Sequence, residues 1–484
     1  KKGNLNEAKD IYKNVLIRYP KNIRAIKALQ VLSSKKNNTI KTSLPKNIFD
    51  QLVNLHKQSK FIELLNLTLK LFNNYPDDFF IYHMNGFANK GLNDYDNAIN
   101  SFNKVVSLNP NFVQALFQIG NIYKIQGKFN EAVNIFQKLL SIDPQHIYAY
   151  NNLGKVIQDQ GKLDDAVHIF KKALSINPGY VNAHNNLGTV LKDQGKLDEA
   201  IDAYKKALSI NPDNVASYNN IGVVFKEQGH FDLAITYYKK ALSIQPNFTQ
   251  ALFNVGVVLQ AQDKLDEAIN IFKKVLFIDS EFIDSYIYMG DIFRTQKKFE
   301  KSINCYDKAL AINPFSITAL FRKGSIYKIE GELDFAIKIY KEVLVLEPNN
   351  FNAYNNIGAI KIEQLCFTEA LEIFNKVISL NPDFAFAHFN VGLIKGYIKD
   401  YKGAIERYRQ ALTLKPDFEI SRAKLISMQS YICDWEGIES SRDFIPELGI
   451  YEQEVNPFSL FSFEDNPERH KKRSKNLVEK RYGQ

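Results

Sequence analysis

The chain holds 484 residues, 45% of them hydrophobic and 24% charged, and 62 Lys and Arg against 53 Asp and Glu give a formal charge of +9. Spread over a chain rich in Asn, Lys and Ile throughout, that charge marks compositional drift and argues against a nucleic-acid surface, while no apolar run approaches the ~18–20 residues that span a bilayer. Cys305, Cys366 and Cys433 form no CxxC pair and the eight histidines match no ligand spacing, which excludes a disulfide framework and a metal site and fits a reducing, cytoplasmic setting.

The opening KKGNLNEAKDIYKNVL reads as the second half of a repeat. Residues 1–34 are therefore expected to be a partial repeat, in a chain that begins inside a longer protein. The polar stretch over 35–44 reads as a linker, and residues 45–78 as a divergent repeat. From residue 79 to 418 ten units follow. Gly86, Gly120, Gly154, Gly188, Gly222, Gly256, Gly290, Gly324, Gly358 and Gly392 recur every 34 residues, each seven residues into its unit. A proline closes each unit, as Pro178 and Pro212 do, except that Ser280 fills one such position.

Residues 181–214 show the pattern. Ala183, Leu187, Val190 and Leu191 fall on one face of a first helix. Gly195 is placed to end it with a positive φ. A second helix carries Ala200, Ile201, Tyr204, Ala207 and Leu208 on its apolar side until Asn211–Pro212, where the residue before proline leaves the α region. Gly188 and Ala200 are small enough for the two backbones to approach, and Tyr204 fills the space beside them. Glycine, small residue, aromatic and proline at fixed offsets in a 34-residue unit resemble the tetratricopeptide repeat. The resemblance implies an all-α, right-handed superhelical solenoid of helix pairs with a short C-terminal extension, its first helices lining a concave groove.

On those first helices the residue two before the glycine is Asn152, Asn186, Asn220, Asn254, Asn356 and Asn390. Successive helices ~8–10 Å apart and a strand advancing ~3.3 Å per residue put one carboxamide beside about every third residue of a bound peptide. A carboxamide offers both donor and acceptor, so it can hold backbone without consulting sequence. These six are the candidate peptide-binding residues, expected to be dispensable for folding. General Asn enrichment is the competing explanation, and the preceding Asn151, Asn185, Asn219 and Asn355 favour it. The row breaks at Tyr288 and Arg322, in units where Lys297 replaces the turn glycine and Ser302 the small alanine: a hinge, a side-chain site or repeat decay. Lys171-Lys172 and the corresponding pairs on later second helices read as a solvated face near the negative end of the helix dipole.

Residues 419–435 are expected to form a capping helix and 436–484 a junction. YICDWEGIE, residues 431–439, with Asn456-Pro457-Phe458 and Glu464-Asp465-Asn466-Pro467 following a repeat stack, resembles the passage into the catalytic region of the protein O-linked N-acetylglucosamine transferase family, particularly its bacterial members. That resemblance implies a parent enzyme moving N-acetylglucosamine from UDP-GlcNAc to Ser or Thr, with this chain selecting protein acceptors in extended form. It assigns no catalytic residue and no cofactor here, because the sugar-nucleotide domains are expected beyond Gln484. Phe458 and Ser459 stand where some relatives carry histidines, and Phe458 cannot take a proton. His470, beside Lys471, Lys472 and Arg473, is expected on an exposed helix. A tetratricopeptide scaffold or adaptor without chemistry is the alternative.

Overall fold

A repeated approach of glycine backbone to aromatic ring builds the fold. In the computed structural model, residues 12, 15, 25, 26, 44–446, 448 and 466–482 are described, and every regular element among them is helical. The partial repeat over 1–34, the linker and the Asn456–Asp465 segment, Phe458 and Ser459 included, fall outside them, isolated positions apart. Ten successive first helices of 13 residues begin where the periodicity places them, from Phe79–Gly91 through Val181–Asp193 to Ala385–Tyr397. Second helices of 14 residues follow, from Tyr95–Leu108 through Leu197–Ile210 to Tyr401–Leu414. The chain packs as two units, Lys1–Val258 and Leu259–Gln484.

In the first unit, Gly188 lies flat against Tyr204: a Cβ there would sit 2.6 Å from the ring. Gly86, Gly120, Gly154 and Gly222 meet Phe102, Phe136, Phe170 and Tyr238 in the same way, and each of these rings is fully buried. Burying such a ring is worth roughly 1.5–3 kcal/mol. Ala183, Ala200 and Ala207 are likewise buried around Tyr204. Gly195 ends the first helix at φ +76°, its N–H and that of Lys196 donating to the carbonyls of Lys192 and Leu191 at 2.8 and 2.9 Å. Asn211 leaves the second helix extended, φ −129° and ψ 94°.

The divergent repeat docks through a polar network. Asn85 stands where all the other repeats but that of Lys323 carry an apolar residue; its Nδ2 donates to Thr68 Oγ1, and its Oδ1 accepts from Asn89 Nδ2 and Ser101 Oγ, at 2.7–2.8 Å. Beside it His83, 7% exposed, meets Phe87, Phe102 and Phe112 edge-on. Burial, with a smaller contribution from His56, pushes its pKa down to about 4.

The second unit keeps the plan where the sequence weakens. Lys297 adopts φ 56° in place of the turn glycine, and its N–H and that of Lys298 reach Arg294 and Phe293 as in the glycine turns. A left-handed residue with a Cβ costs on the order of 1–2 kcal/mol. Buried Ser302 donates its hydroxyl to the Gly290 carbonyl at 2.6 Å. Asp279, ahead of Ser280, still ends its helix extended, so proline is not needed to stop it.

At the C-terminal end two expectations are corrected. The helix after the last pair is Glu419–Tyr431, not continuous to Trp435: Cys433 turns left-handed at φ 57° and Asp434 caps a separate helix, Trp435–Glu439, accepting the Gly437 N–H at 3.0 Å. His470 is 8% exposed, not on a free surface. It shares the inward side of helix Pro467–Tyr482 with fully buried Arg473, whose guanidinium donates to the carbonyls of Leu448 and Ile445 at 2.7 and 2.6 Å while Lys471 and Lys472 face outward. Five N–H donors let a guanidinium stay buried when carbonyls surround it. No helix among the described residues is long and apolar enough to cross a membrane.

Two outcomes follow for the first unit. Gly188→Ala should cost about 1–3 kcal/mol, the penalty of overpacking, read as a lower melting temperature; a variant as stable as the parent would show that the ring contact does not set the packing. His83 titrates at about 4 when folded, against an ordinary value of 6.5. The fold prefers the neutral ring, so its stabilisation is complete above pH 6.5 and is lost as pH falls from there towards 4, by at most ~3 kcal/mol. Between pH 7 and 4.5 the parent should therefore lose more melting temperature than His83→Phe, and equal losses would contradict this.

Candidate functional site: the carboxamide row of the first helices

Within each unit the first helices of neighbouring repeats touch, Ile147–Asp159 meeting both Val113–Ile125 and Val181–Asp193, whereas the second helices stay further apart. The first-helix row is thus the inner side of each unit's curvature, and it carries the six predicted asparagines. Asn152, Asn186, Asn220, Asn356 and Asn390 are half-buried, and Asn254 is 4% exposed.

The adjacent amides find their reason here. Asn186 Nδ2 donates to Asn151 Oδ1 at 2.8 Å, Asn220 to Asn185 at 3.2 Å, Asn254 to Asn219 at 2.9 Å and Asn390 to Asn355 at 3.2 Å, each 35 residues back in the preceding repeat. The second amide of one repeat is braced by the first amide of the repeat before. Where the partner is missing the bond shifts: Phe117 stands 35 residues before Asn152, which reaches Asn121 Oδ1 at 2.8 Å, and Phe321 stands 35 before Asn356, which turns to its own helix at Asn352. Asn151, Asn185, Asn219 and Asn355, which favoured the compositional explanation, are thus the partners of the row. The signal available in sequence was the 35-residue offset between amides.

These bonds commit one N–H of each Nδ2 and orient each amide plane. The oxygens differ. No described residue donates to Oδ1 of Asn186 or Asn390, Asn220 Oδ1 has only a long 3.5 Å approach from Asn219, and Asn152 Oδ1 lies 3.5 Å from Lys124 Nζ. An oxygen presented from a fixed, half-buried amide accepts an N–H, while one of the two N–H groups on its nitrogen is spent on the brace. The expectation that these residues are dispensable for folding is corrected accordingly, since a bond of this kind is worth roughly 0.5–1.5 kcal/mol.

In the second unit the row is charged at one position, Arg322. Arg322 reaches Asp291 at 3.3 Å over the same 31-residue offset as Asn152 to Asn121, and Asp291 also accepts the Tyr306 hydroxyl at 2.8 Å. Beside this pair opens a pocket of about 670 Å³ lined by Tyr288, Arg322, Phe282, Ile287 and Asp284 among others. The described residues contain no group of His, Cys, Asp or Glu arranged for a metal ion, and no disulfide links Cys305, Cys366 or Cys433.

Models of the tetratricopeptide repeat match residues 81–112, 101–134, 120–161, 158–195, 188–229, 215–248, 249–282, 290–329, 324–364 and 387–418. No curated protein matches the chain in sequence. Among solved structures, MamA is 32% identical, spanning 33% of this chain and 94% of its own at a TM-score of 0.31. YrrB, described as a TPR protein with an unusual peptide-binding site, is 26% identical over 38% of this chain and 95% of its own, TM-score 0.29. A tetratricopeptide repeat protein from Parabacteroides merdae is 19% identical over 51% and 97%, TM-score 0.40. The chain belongs to the tetratricopeptide repeat family, whose repeats mediate contacts between proteins.

Proposed function

We propose that the inner row of the first unit holds an extended segment of a partner protein, with backbone N–H groups of that segment donating to the braced carboxamide oxygens. The observation that carries this is Asn186: one N–H of its amide is bonded to Asn151, which orients the group, and its oxygen has no donor among the described residues. Repeats ~8–10 Å apart would offer such an oxygen about every third residue of a strand. Asn220 serves in the same way, and Asn390 is the counterpart in the second unit. Asn254, sealed between repeats, acts as a brace, and Asn152 and Asn356 take part once their own contacts yield.

The narrower reading is that the segment held is the acceptor of a UDP-GlcNAc-dependent protein O-GlcNAc transferase. Its support is the junction. Asp434 receives the Gly437 N–H at 3.0 Å and Gln429 Nε2 at 3.0 Å, closing the last repeat and leaving Trp435 62% exposed to pack on whatever adjoins it. Donor and catalytic groups would come from outside this chain. The free thiols suit a cytoplasmic setting. The adaptor reading uses the same row without the chemistry.

The test separates holding from bracing. A fluorescein-labelled Ser/Thr-rich peptide of about 15 residues, roughly three per repeat, reports binding by anisotropy. Asn186→Ala with Asn220→Ala removes both brace and oxygen; Asn151→Ala with Asn185→Ala removes the same two braces and spares the oxygens. We expect the first pair to weaken binding by about tenfold or more, and the second by less than about twofold at a similar stability loss. Equal effects would overturn the proposal.

A further inference from the structure

Two lysines on the inner face of the first unit lie without the close carboxylate that Lys192 and Lys328 have at the same helical position. Lys90 and Lys124 stand four residues after Gly86 and Gly120, both half-buried. Lys90 Nζ donates to Gln118 Oε1 at 2.6 Å and Lys124 Nζ to Asn152 Oδ1 at 3.5 Å, neutral oxygens at the carboxamide positions of the following repeats. At the same helical position Lys192 and Lys328 meet carboxylates 35 residues on, Glu227 and Glu363, each at 3.7 Å. The residue 35 beyond Lys90 is Ile125, 54% exposed. Beyond Lys124 it is Asp159, which acts on that ammonium from a distance; among the described residues no carboxylate forms an ion pair within 4 Å of either lysine.

Burial pushes the Lys90 ammonium below its ordinary range, and at Lys124 burial followed by the charge of Lys155 does the same, outweighing the opposing pull of Asp159. At Lys192 burial acts in that direction too, but bonds from Asp193 and Glu227 outweigh it and leave the group raised. A cation partly removed from water and held by an amide oxygen gains from exchange for a carboxylate, because much of its desolvation has already been paid.

We infer that Lys90 and Lys124 form an anion-accepting stretch of the inner face that takes acidic side chains from an extended segment of a partner protein. Lying one repeat apart, they suit two acidic residues roughly three positions apart in that segment. When the carboxylates take the ammonium groups, Gln118 Oε1 and Asn152 Oδ1 are released as acceptors for the partner's backbone. This continuation of the strand rests on the proposed holding row; the preference for acidic residues does not.

The experiment uses the full chain and two fluorescein-labelled peptides identical except for Glu-Ser-Ser-Glu or Gln-Ser-Ser-Gln at one end. The Glu peptide should bind about tenfold more tightly at low salt, with the advantage shrinking as salt rises. Lys90→Met with Lys124→Met keeps most of the buried stems and should erase the advantage while leaving the Gln peptide nearly unchanged. Ile125→Glu, at an exposed position, supplies Lys90 with the missing carboxylate and should reduce the advantage without burdening the fold. Equal affinity of the two peptides for the parent, or an advantage surviving in both variants, overturns the inference. Asn186→Ala with Asn220→Ala should weaken both peptides alike; if it weakens neither, the holding row fails while a lysine-dependent advantage still stands.

Discussion

The contact between a helical glycine and the ring sixteen residues later fixes everything else in this protein. A Cβ at Gly188 or Gly222 would come within 2.6 or 2.5 Å of Tyr204 or Tyr238, so only bare backbone lets the paired helices close to that distance. Because the same contact recurs from repeat to repeat, from Gly86 to Gly392, the residue two before the glycine is delivered to an equivalent place each time. A side chain there can then touch its counterpart in the next repeat, and a regular row becomes possible.

What the row does depends on what stands 35 residues earlier. Asparagine there gives an inter-repeat brace and leaves the later amide's oxygen for other uses, as at Asn186. Phenylalanine there sends the amide elsewhere, as at Asn152 and Asn356. Arg322 and Asp291 replace the amides with an ion pair of the same reach. One scaffold thus presents neutral acceptors, ammonium groups at Lys90 and Lys124 with no carboxylate in contact, and a charged pocket in the second unit, each by a local change of side chain. The proposed sequence-tolerant holding and the inferred preference for acidic residues are two consequences of that arrangement.

The helix pairs were legible in the sequence because glycine, alanine, aromatic and proline each meet a strict local demand every 34 residues. Even the weakest unit folded as read, since Lys297 accepts a left-handed turn and Ser302 bonds the Gly290 carbonyl. The carboxamide positions were legible too, but not their partners, because a bond between repeats is invisible to any reading made within one repeat. The buried side of the last helix escaped for a related reason. Arg473 and His470 look solvated by composition, but carbonyls of Ile445 and Leu448 hold the Arg473 guanidinium, which in turn meets His470 Nδ1 at 3.2 Å. Lys90 escaped because its distinction is a carboxylate it lacks.

The central claim is that braced carboxamides on the inner face accept hydrogen bonds from the backbone of a bound chain. A crystal structure of the protein with a Ser/Thr-rich peptide tests it most directly. The account places peptide nitrogens about 2.9 Å from Oδ1 of Asn186 and Asn220, within ordinary hydrogen-bonding distance, while the bonds to Asn151 and Asn185 persist. A peptide lying on the second helices, or those oxygens left facing water beneath it, would contradict the claim.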